Sequence, residues 1–595
     1  MRHSTFPVGR YCLALVVCAA PALGQSPGRV RGVAAPDQIA LDERIEQLKQ
    51  LASPQADDWQ TEADADRASA VLKDLAHQLS AARGRPDPGV ARFFTSDCRL
   101  SPLRPAEAPS LAIGGFELRR ADCRDAPHLL PQEALRELLD PHDGAADLRF
   151  TAKLIGIEAL GDGDFQTQVM VQSCSTGDRG RLQQNATWDV LWTPEQGGDR
   201  PLIRRLTSVA IDELRTNHLP FKDGTRSVIR DDAAWNPRLA RGNDWWYGRT
   251  DALGGVNFIS SEGLAVGDVN GDGLDDLYVC MRNGLPNMLF VQNPDGTVRE
   301  TAYLAGVAWL DQCRGALLVD MDNDGDEDLV VAIDSTVGYC ENDGNGVFTA
   351  RYRFKMPKSS PGAFYSLAAA DYDADGDLDI YACRYLQGEY GGVPPEPYFD
   401  ANNGPSNHLL RNDGRKGLTD VTVETGLDVN NRRFSVVASW VDYDDDGDPD
   451  LYVANDFGKN NLYRNNGGTF VDVAATSSTE DQASGMGISW SDFDLDGDLD
   501  LLISNMFSSA GRRVTRQSRS MRGAPEPDRQ SLQRLAVGNT LLINDGGRFR
   551  DDSDRAGIRM GRWAWGAMFA DINNDGFDDM VVPNGFITNE SKDDL

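Results

Sequence analysis

Six times between residues 268 and 579 the chain writes the same nine-residue pattern: Asp, any residue, Asp or Asn, any residue, Asp, Gly, two of any kind, Asp, then a short apolar run. The copies begin at Asp268, Asp320, Asp371, Asp442, Asp492 and Asp571. Oxygen side chains at alternate positions, a glycine at a sharp turn and a carboxylate at position nine describe a cage for a hard cation. Calcium takes roughly 6–8 oxygen ligands and tolerates irregular geometry, so it is the expected occupant, at up to six sites. The candidate ligands are Asp268, Asn270, Asp272 and Asp276; Asp320, Asp322, Asp324 and Asp328; Asp371, Asp373, Asp375 and Asp379; Asp442, Asp444, Asp446 and Asp450; Asp492, Asp494, Asp496 and Asp500; and Asp571, Asn573, Asp575 and Asp579. The first and sixth loops, with Asn in place of Asp, are expected to bind more weakly.

The charge follows the loops. The chain carries a formal net charge of −33, of which residues 1–250 account for −3 and residues 251–595 for −30. The six loops hold thirty acids and no Lys or Arg, so the rest of the C-terminal part is neutral. The acidity is concentrated in candidate cages, and no basic face is left for nucleic acid.

Residues 1–24 read as a secretory signal: Arg2 and Arg10, an apolar run over 11–20, and small residues at Ala22 and Gly24. The expected location is extracellular or periplasmic, where disulfides are permitted. Seven cysteines would remain, and Cys98–Cys123 and Cys280–Cys313 are candidate pairs. Residues 25–36 read as a flexible start. An α+β domain is expected over 37–215. Apolar periodicity predicts helices at 37–52, 61–83 and 131–140, and alternation predicts strands at 148–159, 165–173, 184–193 and 202–211. This order of helices and meander is similar to the cystatin-like cone. His77, His128, His142 and His218 lack metal-ligand spacing and read as surface or packing residues. Residues 216–250 read as a linker, with Trp235 and Trp245–Tyr247 packed on the next domain.

From 251 to 595 the loop starts are 52, 51, 71, 50 and 79 residues apart, a period that with several short strands per unit predicts a β-propeller. Hairpins of the Asn-Asp-Gly or Asn-Asn-Gly kind close several units (Asn412–Gly414, Asn465–Gly467, Asn544–Gly546). An EF-hand is excluded, because position 12 is Val279, Val331, Ala382, Val453, Ile503 or Val582 and none can supply the bidentate carboxylate. The interval around 507–537 carries Arg512, Arg513, Arg516, Arg519 and Arg522, the one basic cluster of the acidic half. It reads as a solvated loop or one folded over the protein's own acids, with partner docking as the sharper alternative.

The repeats resemble FG-GAP/VCBS repeats, the blades of integrin α-chain propellers. Val453–Gly467 through Val473, with Trp563–Gly566 ahead of the last loop, is similar to the cartilage acidic protein and ASPIC/UnbV group. The resemblance implies a mainly β fold, a propeller usually of seven blades, calcium in the hairpin loops, and extracellular binding or adhesion. Only six loops are legible, so either the segment before 262 supplies strands that close the ring or the propeller is incomplete at its C-terminal end, the second being the expectation. The expected partner is an extracellular protein or glycan, with no membrane span and no catalysis. An extracellular polysaccharide lyase or hydrolase is the alternative. Trp440 and Trp490 are expected to pack between blades rather than to stack sugars.

Overall fold

The computed structural model describes residues 59–231, 263–385 and 394–585, with short breaks inside these spans and three positions between 231 and 263. The signal, the flexible start, the helix expected at 37–52 and the Trp245–Tyr247 cluster lie outside the described residues. The chain forms two compact units. One takes the chain up to Leu219 together with Ser509–Ala524, and the other takes the remainder.

The N-terminal unit is α+β. Helix α1 (Gln60–Ala81) turns Ala65, Ala68, Leu72, Leu75 and Leu79 to one face, at spacings of three and four residues, and all five are buried. Helix α2 (Pro131–Leu139) opens on proline, whose missing N–H costs nothing at that position. Before α2 come β1 (Phe94–Leu100), β2 (Ser110–Ile113) and β3 (Phe116–Ala121), and after it β4 (Arg149–Gly161), β5 (Asp164–Gly177), β6 (Gly180–Pro194) and β7 (Pro201–Thr216). The sheet runs β2-β3-β7-β6-β5-β4, with β1 parallel to β7. The four expected strands are therefore present and longer than their apolar alternation suggested. Strands β1 to β3 were not anticipated, because they are short and their patterning is broken.

Inward residues of β5 and β6 alternate, and Trp188 and Trp192 are fully buried in the core that α1 also enters, beside Phe150 and Phe165. One end of this core is polar. His142 lies within 2.6 Å of Ser175 Oγ and 3.1 Å of both Ser173 Oγ and Gln184 Oε1. Gln184 donates to Glu213, which also receives two hydrogen bonds from Arg104 at 2.6 and 2.9 Å. His142 is thus a packing histidine whose burial pulls its pKa down.

Among the described residues the second unit holds five four-stranded antiparallel sheets and one two-stranded sheet. The first comprises β8 (Leu264–Gly267), β9 (Asp276–Val279), β10 (Met288–Gln292) and β11 (Val298–Glu300). The second comprises β12 (Cys313–Val319), β13 (Asp328–Ile333), β14 (Thr336–Asn342) and β15 (Phe348–Lys355). The third comprises β16 (Ala363–Ala370), β17 (Asp379–Tyr385), β18 (His408–Asn412) and β19 (Leu418–Asp420). The fourth comprises β20 (Ser435–Val441), β21 (Asp450–Asn455), β22 (Asn461–Asn465) and β23 (Phe470–Asp472). The fifth comprises β24 (Gly485–Ser491), β25 (Asp500–Asn505), β26 (Thr540–Asp545) and β27 (Arg548–Asp551), and the last pair is β28 (Met568–Ala570) and β29 (Asp579–Val581). Each acidic loop joins the first strand of a sheet to the second. The first strand of each sheet lies against the first strand of the next. This arrangement is consistent with propeller blades.

Aromatic rings join neighbouring sheets. Trp440 meets Tyr381 edge-on at 6.4 Å, and Trp490 meets Tyr452 at 5.9 Å. Both tryptophans pack between sheets, as expected. Cys98 and Cys123 are both free thiols, and so are Cys280 and Cys313, so neither pair read from sequence is bonded in this structure. Cys98 points into the core of its unit, whereas Cys123 lies in the turn after β3, outside that core. Among the described residues no helix is long and apolar enough to cross a membrane.

Candidate metal centres

Each loop is built on its position-one aspartate. Its two carboxylate oxygens accept the backbone N–H groups of positions five and six, for example Asp446 at 3.1 Å and Gly447 at 3.0 Å on Asp442. The same pair of bonds recurs on Asp268, Asp320, Asp371, Asp492 and Asp571. Turning those N–H groups inward requires left-handed backbone. Position six is glycine at φ from +82° to +104°, and position four is left-handed in all six copies even where it is Ala374 or Leu495.

Position nine starts the second strand and is anchored from two sides. The Oδ1 of Asp328, Asp379, Asp450 and Asp500 accepts the N–H of Asn342, Asn412, Asn465 and Asn544 at 2.7–2.8 Å. Asp276 accepts the N–H of Gln292 in the same way, at 2.8 Å. These five carboxylates are buried, whereas Asp579 is half-buried. Burial first, and the neighbouring loop acids after it, raise their affinity for protons. Asp379 and Asp450 are pushed up to about 7, and Asp328 and Asp500 to about 6.

Four trios of carboxylates converge, each with ligand oxygens within 4.8 Å of one another: Asp320, Asp322 and Asp328; Asp371, Asp373 and Asp379; Asp442, Asp444 and Asp450; and Asp492, Asp494 and Asp496. In the second, third and fourth loops position five stands outside the trio. Asp324, Asp375 and Asp446 accept the N–H two residues on, each at 3.0 Å, as Asp496 does at 3.1 Å. In the fifth loop Asp496 joins and Asp500 does not. The described residues show no such trio of acids at Asp268, Asp272 and Asp276 or at Asp571, Asp575 and Asp579, the loops whose third position is Asn270 and Asn573.

The donor set fits a hard cation. Carboxylates about 5 Å apart repel by roughly 3 kcal/mol per pair at an effective dielectric near 20. Moreover, Asp373 Oδ1, Asp379 Oδ2 and Asp444 Oδ1 are buried acceptors with no hydrogen-bond partner. A buried carboxylate oxygen without a donor is costly unless a cation takes the lone pair.

Two features escaped the sequence reading. The first is the asparagine that opens each closing hairpin. Its backbone N–H holds its own loop, as above, while its Nδ2 donates to the position-two carbonyl of the preceding loop. Asn342 reaches Val269, Asn412 reaches Met321, Asn465 reaches Tyr372 and Asn544 reaches Tyr443, at 2.8–3.0 Å. One residue thus ties two consecutive acidic loops. Asn465→Ala is expected to lower stability by about 2–4 kcal/mol, because the Tyr372 and Pro449 carbonyls lose their donor inside the protein. Chemical denaturation reads this, and a loss below about 0.5 kcal/mol, the level of an ordinary surface change, would count against the role.

The second feature is Glu327, at position eight of the second loop, whose Oε2 is buried without a partner. A Cβ on Gly267 would sit 1.8 Å from that oxygen, so glycine ahead of the first loop makes room for it.

The repeat unit can be named from outside. The FG-GAP-like repeat matches residues 268–331, 320–382 and 442–503. The chain carries FG-GAP-like repeats. Beyond the repeat, it is distantly similar to cartilage acidic protein 1: 28% identical over 212 residues to the Xenopus tropicalis protein (33% of this chain, 32% of that one) and 31% over 129 residues to the Mus musculus protein (21% and 20%). The matches thus span a third or less of those relatives. Among solved structures, an Agrocybe aegerita lectin that recognises non-reducing terminal N-acetylglucosamine aligns with 55% of this chain and 77% of its own, at 15% identity and a TM-score of 0.33.

Proposed function

We propose that the chain is a secreted binding module in which the repeats form a calcium-stabilised propeller that engages an extracellular protein or glycan. The observation that carries the reading is the set of convergent carboxylate trios with buried, unpartnered oxygens. Asp320, Asp322 and Asp328, and their counterparts, would hold the ion, which supplies charge neutralisation. The protein's own part is to fix the loops through backbone N–H groups and the hairpin asparagines. The calcium is structural, and the ligand-binding surface lies elsewhere. The N-terminal unit is read as a cystatin-like cone.

The test of the binding role is a glycan array and an extracellular-protein panel, each run with calcium and with chelator, beside a reducing-sugar release assay. Ligand captured only in calcium, with no product, supports the proposal. Released sugar favours the polysaccharide-active alternative and overturns it.

Asp379 gives a sharper test of the ion. Its folded pKa lies above the unfolded value of 3.8, so the metal-free fold holds the proton more tightly. This carboxyl's contribution to metal-free stability is therefore fully present below pH 4 and is lost as pH rises through about 7, where calcium restores it. Asp379→Asn keeps the acceptor for Asn412 N–H and removes the buried charge. In chelator at pH 8 it is expected to melt at or above the parent, and in calcium below it. Melting by calorimetry in both buffers checks this, and a variant weaker than the parent in chelator contradicts it.

A further inference from the structure

Cys280 and Cys313 lie in adjacent repeats, Cys280 just past the end of β9 and Cys313 at the start of β12. Both are fully buried in the apolar core that joins the first and second sheets. Their backbones are held together, since Cys313 N–H donates to the carbonyl of Met281, the residue after Cys280, at 3.2 Å. The two sulfurs are 2.9 Å apart, inside van der Waals contact. A sulfur–sulfur bond is about 2.05 Å long, so joining them needs a shift of only about 0.9 Å.

We propose that Cys280 and Cys313 are a disulfide site that covalently locks the first repeat to the second. The oxidant is a disulfide donor of the oxidised-dithiol class met in a secretory compartment. One cysteine thiolate attacks a donor sulfur, forming a mixed disulfide and expelling one donor thiolate. The second cysteine thiolate then attacks the protein sulfur of that mixed disulfide, forming the Cys280–Cys313 bond and expelling the other donor thiolate. The two cysteines lose two electrons and two protons in all, and the donor disulfide gains them as two thiols.

The exchange happens while the sheets are still apart. In the closed fold neither sulfur is reachable, and burial raises the Cys313 thiol far above its ordinary pKa, so little thiolate is available. The same burial shields the finished bond from reductants. The lock does not depend on calcium: it acts at the end of β9 and β12 remote from the acidic loops.

The experiment is peptide mapping of the full chain exported to an oxidising compartment, alkylated in denaturant without reductant and digested with trypsin. Arg282, Arg299 and Arg314 place the two cysteines in separate peptides. The expected result is a cross-linked pair of residues 250–282 and 300–314 that survives reductant on the folded protein and separates when reductant is added in denaturant. Recovery of both cysteines alkylated, or of either joined to Cys340, overturns the proposal. The Cys280→Ser/Cys313→Ser variant is expected to melt several degrees lower and, unlike the parent, to show no further fall when unfolded with reductant. If that variant does not fold, the mapping still decides.

Discussion

Chelating calcium from the full chain is expected to lower the melting temperature of the repeat unit by about eight degrees. Extracellular calcium modules bind at about 0.1 mM, and free calcium outside cells is about 1 mM, which gives roughly 1.4 kcal/mol per site by mass action. The four convergent trios together give about 6 kcal/mol. At roughly 1.3 °C per kcal/mol for a unit of this size, the shift is about eight degrees. The energy is comparable to the whole stability of a typical domain, so occupancy decides whether the repeats stay folded. The physical source is visible in the loops. Without a cation each trio sets acids against one another, and Asp379 and Asp450 are so buried that they hold protons up to about pH 7. Calorimetry with and without chelator reads the effect, with magnesium as a control that fits a loose oxygen cage less well. A shift of less than two or three degrees would remove calcium from the account of stability.

The loops were legible because each position answers to a local demand. Glycine at position six, for example Gly447 at φ +91°, is required by the backbone, and the position-nine acid is fixed by the strand that follows. The strands around them were legible for the same reason, since alternation and turn chemistry are short-range signals. What stayed hidden depends on distant partners. The hairpin asparagines read as turn residues, yet their side chains serve carbonyls 73 to 101 residues away. Which of four oxygen positions converge was hidden too: Asp446 and Asp496 occupy the same place in the pattern, but only Asp496 joins its trio. In the N-terminal unit β1 pairs in parallel with β7, roughly a hundred residues on, a pairing that no local pattern in Phe94–Leu100 announces.

The arginine run was legible only as a choice. Arg513 lies in a short helix, α3 (Ser509–Thr515), and belongs with the N-terminal unit, where it meets an acid 451 residues earlier in the chain. Its Nη2 and Nε donate to Glu62 at 2.8 and 3.1 Å. Gln517 adds a hydrogen bond from its Nε2 to the same carboxylate, and its Oε1 accepts from Trp59 Nε1 at 2.9 Å. Glu62 sits in the first turn of α1, where the helix dipole favours negative charge. The side chains are only 8% and 16% exposed, so the pair is largely out of water. Breaking such a pair from one side strands the other charge. Glu62→Ala is therefore expected to cost about 3–5 kcal/mol, and Arg513→Ala a similar amount. Replacing both, as Glu62→Met/Arg513→Met, removes both desolvation penalties and is expected to recover much of that loss. Equilibrium denaturation of the three variants measures the coupling. Limited trypsin digestion locates it, since release of the segment from the N-terminal unit exposes the half-buried Arg512 to cleavage. Additive single effects, or no gain in cleavage, would return the arginine run to an ordinary surface loop.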